Sequence, residues 1–285
     1  MVTVKDFTSP IFPTWCPGCG DWGIWAAIKN ALVGLNFEPH EVMIVYGVGC
    51  SGNMCSFINA YGFHGLHGRA IPVAEAIKIA NHKLPVIVVG GDGDLLGEGL
   101  SHFITACRGN TDITVVLHDN QVYGLTTGQT APTADKGYKS KTTPLGSIEI
   151  RLNPLVTAIT QGATYVARGF AGDPNHLTKL IIDGVQHKGF SFINALQPCV
   201  SFNHIHTYPW YRERIYKLED RGYIAKDSSS AYIKALEWGD HIPLGLFYKE
   251  EKDTFQDNLP QIKLKTLVEQ DIKNISIEKS YREFI

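Results

Sequence analysis

The sequence predicts an α/β fold with a mostly parallel sheet and helices on both faces. Short runs rich in β-branched residues alternate along the chain with longer stretches of helical apolar periodicity. This alternation is typical of parallel sheets, whose strands are buried on both faces and therefore appear as continuous apolar runs. Glycine and polar residues follow several of these runs, so we expect candidate binding groups at one rim of the sheet.

The predicted elements follow one another in regular order. The predicted strands are 42–46, 86–89, 113–117, 164–167 and 191–196. The predicted helices are 21–35, 71–82, 98–108, 152–161 and 174–188. The last helix has the clearest start signal, because Asp173 can act as its N-cap and Pro174 occupies its first position.

We expect one main domain over residues 1–205 and a C-terminal extension over 206–285 that packs on this core or on a partner subunit. The 285 residues are enough to bury a sizeable core. Residues 125–150 are polar and rich in Gly, Pro and Thr, which indicates a functional loop. After about residue 200 the alternation stops and aromatic and charged residues dominate, which favours an extension over a second independent domain.

The composition argues against several classes of function. The 26 basic and 28 acidic residues nearly cancel and form no long runs, so neither nucleic acid nor a membrane surface is an expected partner. The N-terminus has no apolar signal region, and the apolar runs are too short to span a bilayer. We therefore expect a cytoplasmic protein, in which the 6 cysteines serve metal ligation, redox chemistry or packing and not disulfides.

Two of the predicted strands lead into residues that suit a magnesium diphosphate. Gly91-Asp92-Gly93 follows one strand, and Asn120 follows the next after 26 intervening residues. The glycines let the backbone approach a diphosphate, while the Asp92 carboxylate, the Asn120 amide and the Val122 carbonyl supply hard oxygen ligands. The alternative is a pair of ordinary turns, which are rich in the same residue types; the spacing and the strand contexts favour the metal site.

Several motifs together resemble one enzyme family. They are Trp15-Cys16-Pro17-Gly18-Cys19-Gly20, Gly47-Val48-Gly49-Cys50-Ser51, Leu66-His67-Gly68-Arg69-Ala70, Gly91-Asp92-Gly93-Asp94, Asp119-Asn120 with Tyr123-Gly124, and Gln197-Pro198-Cys199. The Gly-Asp-Gly and Asn pair resembles the thiamine diphosphate motif. The whole set, which covers about the first 215 residues, resembles the β subunit of 2-oxoacid:ferredoxin oxidoreductases.

The resemblance implies three sets of ligand-binding residues. It implies a [4Fe-4S] cluster on Cys16, Cys19, Cys50 and Cys199. It implies Mg²⁺ on Asp92, Asn120 and the Val122 carbonyl. It implies contacts to the diphosphate and thiazole of thiamine diphosphate from Val48, Gly49, Cys50, Ser51, His67, Gly93, Asp94, Gly124 and Leu125.

The cysteines considered alone allow more than one kind of site. Cys16-x-x-Cys19 suits a thioredoxin-like redox pair, a zinc half-site or an iron–sulfur half-site. The four cysteines of the resemblance together suit either zinc or a cubane cluster. An adjacent thiamine site favours the cluster, because a cluster can accept the electrons that oxidative decarboxylation releases. Cys55 and Cys107 have no role in this scheme and are predicted to be small buried hydrophobic residues.

The resemblance also implies an activity and partners. The chain would be a subunit of an enzyme that converts a 2-oxoacid, such as pyruvate or 2-oxoglutarate, to acyl-CoA and CO₂, with coenzyme A as co-substrate and ferredoxin as electron acceptor. The glutamate that activates the cofactor's pyrimidine is expected on an alpha, or fused gamma-alpha, subunit, so we assign no catalytic residue here. Asn53 stands where some family members have lysine, so substrate specificity is not carried over.

Two other functions stay open on the sequence. One is a non-oxidative thiamine diphosphate decarboxylase or synthase with a structural zinc on the cysteines. The other is an iron–sulfur electron carrier in which the Gly-Asp-Gly loop is incidental. Iron with acid-labile sulfide would exclude the zinc enzyme, and bound thiamine diphosphate would exclude the simple carrier.

Overall fold

The structure is a computed structural model and describes residues 2–273 and 275–285. Its strands are β1 (Met43–Tyr46), β2 (Tyr61–His64), β3 (Val86–Gly91), β4 (Thr114–Asp119), β5 (Val122–Tyr123), β6 (Gln129–Thr130), β7 (Tyr165–Phe170), β8 (Ser191–Leu196), β9 (Ile215–Lys217) and β10 (Ile242–Lys249). Its α-helices are α1 (Asp21–Gly34), α2 (Ala70–Ala80), α3 (Leu100–Gly109), α4 (Pro154–Thr160), α5 (Pro174–Gln186), α6 (Tyr208–Arg212), α7 (Ser228–Ala235) and α8 (Glu278–Arg282).

Eight of these strands form one sheet in the order β2-β1-β3-β4-β8-β7-β10-β9. The neighbouring pairs from β2 to β7 are all parallel. At the far side, β10 runs antiparallel to β7 and pairs in parallel with β9. The short strands β5 and β6 form a separate antiparallel pair at the start of the polar region 125–150. None of the helices in the described ranges is long and apolar enough to cross a bilayer.

Alternate residues of the central strands face opposite sides of the sheet. Ile87 and Val89 pack in the apolar cluster that α1 and α5 cover, whereas Val86 and Val88 pack in the cluster that α2, α3, α4 and α7 cover. Because side chains alternate along a strand, a strand buried on both faces must be apolar at every position. This arrangement confirms the predicted class, a mostly parallel sheet with helices on both faces.

The segment after residue 205 takes part in the sheet. It supplies β9 and β10, and α7 packs beside α4 and against β10. The antiparallel pairing of β10 with β7 therefore holds this segment on the core. The boundary at residue 205 stays a prediction, as does any contact with a partner subunit.

The first turn of α1 packs tightly against the loop after β7, and we expect Gly23→Ala to disturb this contact. A Cβ atom at Gly23 would collide with the carbonyl oxygen of Ala171, which is backbone and cannot move aside like a side chain. We expect the free energy of unfolding to fall by about 1–3 kcal/mol. Chemical denaturation measures this change.

Gly34→Ala, at the other end of α1, is the matched control. Its Cβ atom would meet only the flexible end of Ile182, at 2.8 Å. The gain in helix propensity, up to about 1 kcal/mol, offsets that contact. Equal destabilisation by the two substitutions would show that the close contact between Gly23 and Ala171 does not require glycine at position 23.

Candidate functional site

Two adjoining cavities lie at the carboxyl ends of the central strands, where open α/β sheets bind their ligands. The first, here called the cofactor cavity, has a volume of about 310 Å³. Its lining includes every residue expected to bind thiamine diphosphate or magnesium: Val48, Gly49, Cys50, Ser51, His67, Asp92, Gly93, Asp94, Asn120, Val122, Gly124 and Leu125. The second, here called the cysteine cavity, has a volume of about 250 Å³. Cys50, Asn120, Gly124 and Leu125 line both cavities, which therefore share a wall.

The loop after β1 forms one side of the cofactor cavity. Gly49 has a φ of +88°, a conformation that favours glycine and that turns the chain sharply at this point. The indole N–H of Trp15 donates to the Cys50 carbonyl at 2.8 Å and ties the loop to the N-terminal segment. Ser51, the last residue of the motif, is buried. Trp15 thus holds this loop in place beside the cavity that it lines.

Asp92 is a buried carboxylate that accepts hydrogen bonds at both oxygens. Oδ1 accepts from the Gly93 N–H at 2.9 Å, and Oδ2 accepts from the Gln121 N–H at 2.7 Å and from the Thr133 hydroxyl. Burial, and then the nearby Asp119 carboxylate, raise the pKa of Asp92 to about 7. A bound cation would stabilise the charged form of such a carboxylate, so Asp92 fits the role of a magnesium ligand.

The amide of Asn120 lies at the end of the neighbouring strand β4. Its Oδ1 accepts from the Val122 N–H at 3.0 Å, and its Nδ2 donates to Gln197 Oε1 at 3.0 Å. Asn203 Nδ2 donates to the Asn120 backbone carbonyl, also at 3.0 Å. The chain therefore offers one carboxylate, one amide oxygen and one carbonyl, the oxygen types that magnesium prefers, with phosphate oxygens left to complete the octahedron.

His67 and Asp94 form a pair at the mouth of the cofactor cavity. Asp94 is buried and accepts from the Gly68 N–H at 2.6 Å and from the Val48 N–H at 3.2 Å, while its Oδ1 lies 2.9 Å from His67 Nδ1. Burial raises the pKa of Asp94, and its hydrogen bonds with Gly68 and Val48 and the charge of His67 oppose this rise. Because Nδ1 faces Asp94, His67 can present Nε2 to a phosphate oxygen.

The four predicted cluster ligands all line the cysteine cavity. Cys16 is exposed, Cys19 and Cys199 are buried, and Cys50 lies on the shared wall. Burial raises the pKa of the Cys19 and Cys199 thiols and raises that of Cys50 to about 12. A Cβ atom at Gly124 would lie 3.4 Å from Cys50 Sγ and 3.9 Å from Cys199 Sγ, so this glycine lies beside both sulfurs. Binding of a metal group here would release protons, because metals bind thiolates.

The other two cysteines lie outside both cavities. Cys107 is fully buried in an apolar cluster, as predicted. Cys55 is only half-buried, and its Sγ lies 3.5 Å from His64 Nδ1. The structure therefore separates the six thiols into a group of four and two that stand apart.

Some residues of the site were not identified from the sequence. Thr133, which donates to Asp92, belongs to the polar region 125–150, where only a loop was indicated. Tyr123 belongs to one of the sequence motifs but has no predicted role; its hydroxyl donates to the Gly93 carbonyl at 3.2 Å and its ring covers this glycine. Gln197 was likewise only a motif residue, yet it contacts both Asn120 and Cys19. Their neighbours in the fold, not in the sequence, reveal these roles.

Two family models match successive parts of the chain. The family model described as thiamine pyrophosphate enzyme, C-terminal TPP binding domain, matches residues 47–195. A second family model, which describes the C-terminal part of the pyruvate ferredoxin oxidoreductase beta subunit, matches residues 199–264. Thiamine pyrophosphate is thiamine diphosphate under another name. The first match includes every residue that lines the cofactor cavity, and the second begins at Cys199.

Individual relatives agree with the family models. Subunit beta of 2-oxoacid:ferredoxin oxidoreductase 1 from Aeropyrum pernix is 44% identical over 269 residues, which cover 90% of this chain and 85% of the relative. The corresponding subunit from Saccharolobus solfataricus is 47% identical over 249 residues, covering 83% and 82%. A solved structure, 2-oxoglutarate:ferredoxin oxidoreductase from Magnetococcus marinus with 2-oxoglutarate, coenzyme A and succinyl-CoA bound, superimposes with a TM-score of 0.90 at 36% identity, covering 99% of this chain and 96% of that one. These similarities confirm the resemblance, and the chain belongs to the family of 2-oxoacid:ferredoxin oxidoreductase beta subunits.

Proposed function

We propose that this chain binds thiamine diphosphate, Mg²⁺ and a [4Fe-4S] cluster in an enzyme that oxidatively decarboxylates a 2-oxoacid to acyl-CoA and CO₂, with ferredoxin as electron acceptor. The observation that carries the proposal is the wall shared by the cofactor cavity and the cysteine cavity. A carbon-centred electron source and an iron–sulfur acceptor would lie side by side there, as one-electron transfer requires. The family membership of the chain supports the same activity.

The cofactor cavity supports the proposed magnesium and diphosphate contacts. Asp92, Asn120 and the Val122 carbonyl would hold Mg²⁺, and the loop after β1 together with His67 would hold the diphosphate. When bound, thiamine diphosphate supplies the carbon nucleophile and electron sink for decarboxylation. The protein's part is to orient the diphosphate end and to keep water away from it.

The arrangement of the cysteines favours a cluster over a single zinc ion. Zinc–sulfur bonds of about 2.3 Å in a tetrahedron place the sulfurs about 3.8 Å apart. Among the residues that the structure describes, no three His, Cys, Asp or Glu side chains converge closely enough to hold one metal ion. The four cysteines instead surround a cavity of about 250 Å³, which suits a larger group bound at its corners.

A partner subunit is needed to complete this site. The lining of the cofactor cavity, within the described ranges, includes Asp92 and Asp94 but no glutamate for the cofactor's pyrimidine. Tyr61 and Phe63 of the edge strand β2 are exposed apolar side chains. Leu125, which lines the cofactor cavity, and Leu66, which precedes His67, are exposed as well. Exposed apolar groups of this kind are typical of protein interfaces. We assign this surface to the alpha, or fused gamma-alpha, subunit, in a complex that works in the cytoplasm.

The substrate depends on the assembled site. The Magnetococcus marinus enzyme is described with 2-oxoglutarate and coenzyme A, whereas one matching family model is named for pyruvate. Asn53, which stands in place of lysine, lines the cysteine cavity. Both oxoacids therefore belong in the assay that tests the proposal.

We expect the chain purified alone to be inactive towards pyruvate, 2-oxoglutarate, and branched-chain or aryl oxoacids. Co-expression with its partner subunit should restore oxoacid-dependent and coenzyme A-dependent reduction of ferredoxin, because the pyrimidine-side glutamate is then present. The measurement is ferredoxin reduction together with iron, acid-labile sulfide and thiamine diphosphate content. Full activity of the single chain would refute the interface, and zinc without iron in the anaerobic complex would refute the cluster.

A further inference from the structure

One buried side chain contacts both halves of the site. Gln197 follows β8 and is 2% exposed. Its Oε1 accepts from Asn120 Nδ2 at 3.0 Å, and its Nε2 donates to Cys19 Sγ at 3.4 Å. Asn120 belongs to the proposed magnesium site and Cys19 to the proposed cluster site. A single amide therefore links a ligand of one group to a ligand of the other.

Hydrogen bonding fixes the orientation of this amide. The backbone N–H of Val122 can only donate, so the Asn120 atom that faces it, at 3.0 Å, must be the oxygen Oδ1. Asn120 consequently presents its NH₂ group to Gln197, which must answer with its oxygen. The remaining end of the Gln197 amide is then an N–H donor, and it faces the sulfur of Cys19. The orientation follows from one backbone donor and does not depend on choosing between amide rotamers.

The position of Gln197 is also fixed by packing. The Gln197 backbone N–H donates to the Asp119 carbonyl at 2.9 Å, and the Gly20 N–H donates to the Pro198 carbonyl at 3.0 Å. A Cβ atom at Gly20 would lie 2.6 Å from Gln197 Cγ. Because residue 20 is glycine, the segment that carries Cys19 can approach Gln197 closely enough for the hydrogen bond to the Cys19 sulfur.

We propose that Gln197 is a positioning residue that holds the magnesium-binding amide of Asn120 and at the same time donates a hydrogen bond to the cluster thiolate of Cys19; this inference rests on the proposed function. Hydrogen bonds to cluster sulfurs raise the reduction potential, because they stabilise the additional negative charge of the reduced state. Partners of metal ligands also strengthen metal binding by holding the ligand in place. Gln197 therefore adjusts the electron acceptor and the cofactor site together.

The test is Gln197→Met in the co-expressed complex, with two readouts. Methionine keeps the length and bulk of the side chain but removes both hydrogen bonds. We expect the cluster's reduction potential, measured by EPR-monitored redox titration, to fall by a shift equivalent to about tenfold in the one-electron equilibrium, or about 59 mV. We expect the affinity for Mg²⁺ and thiamine diphosphate, measured by calorimetry on cofactor-depleted complex, to fall about tenfold.

Two further variants separate the two contacts. Ser201→Ala removes a hydroxyl that donates to Cys16 Sγ at 3.0 Å, so it should lower the potential and leave cofactor affinity unchanged. Gln197→Asn keeps an amide that is one methylene too short to reach both Asn120 and Cys19, so at least one readout should change. It provides the test if the methionine variant does not fold.

Each outcome decides between the possibilities. An unchanged potential or an unchanged cofactor affinity in Gln197→Met would overturn the bridging role while leaving the proposed function intact. Loss of cofactor affinity in Ser201→Ala equal to that in Gln197→Met would overturn it as well, because any change at a sulfur would then have the same effect. A wild-type complex without iron or thiamine diphosphate would instead overturn the proposed function, and this inference with it.

Discussion

Asp92→Asn protein is expected to lose its thiamine diphosphate on purification. The substitution keeps the shape of the side chain but removes the one negative charge that this chain is proposed to place on Mg²⁺. Magnesium retains its water readily and needs charged oxygen to bind, so we expect affinity for the magnesium diphosphate to fall by more than about 100-fold. Asn120→Ala removes a neutral oxygen and should weaken binding by about 10- to 100-fold. Cofactor content and a binding titration measure both effects.

Glu75→Gln is the matched control for Asp92→Asn. Glu75 is a partly buried carboxylate whose pKa, like that of the buried Asp92, is raised by burial, and it accepts from the Thr111 hydroxyl at 2.9 Å. It lies in α2 and contacts the residues before β4, at the opposite end of the strand from Asn120. We expect this variant to retain the cofactor. Normal thiamine diphosphate content in Asp92→Asn protein would show that Asp92 is not the magnesium ligand proposed.

Single replacement of Cys16, Cys19, Cys50 or Cys199 by Ser should remove or damage the iron–sulfur centre. A serine oxygen is a poor substitute for a soft thiolate, so iron content should fall and the cluster's EPR signal should be lost or altered. In the complex with the partner subunit, variants that still fold should retain thiamine diphosphate and release CO₂ slowly, yet fail to reduce ferredoxin. Cys50→Ser is the expected exception, because Cys50 lines the cofactor cavity as well.

Cys55→Ser and Cys107→Ser are the controls for the cysteine series. Neither side chain lines the cysteine cavity, so both variants should retain their iron. Cys107 is fully buried, and its replacement by a polar hydroxyl should lower stability without altering the cluster. Loss of the cluster in Cys55→Ser together with its retention in Cys199→Ser would show that the proposed ligand set is wrong.

The central sheet and its rim could be predicted from the sequence because one physical requirement dominates there. A strand buried on both faces must be apolar throughout, so β3 and β4 were recognisable as runs of valine, leucine and isoleucine. The motifs that follow them share the carboxyl edge because the strands are parallel. The residues expected to bind one ligand therefore line one cavity.

The edge strand β2 and the antiparallel strand β10 carried no such signal. All four residues of β2 are exposed, and its sequence Tyr61–His64 contains glycine and histidine, so it does not form an apolar run. β10 contains Pro243 and Gly245, both unfavourable inside strands, and also the partly exposed Leu246. Pairing with a neighbour, not local propensity, makes these segments strands. The contacts of Gln197 and Thr133 could not be predicted for a related reason, since their partners lie far away along the chain.

The pairing of β10 with β7 has a consequence for biosynthesis. Until residues 242–249 leave the ribosome, one side of β7 presents unpaired backbone N–H and C=O groups to the solvent. An open strand edge of this kind can pair with a second nascent chain. The correct pairing of β10 with β7 joins segments that are distant in the sequence, and it therefore forms slowly. Premature termination after residue 205 would leave that edge permanently open. Aggregates should therefore form from truncated chains even where every predicted cofactor ligand has already been synthesised.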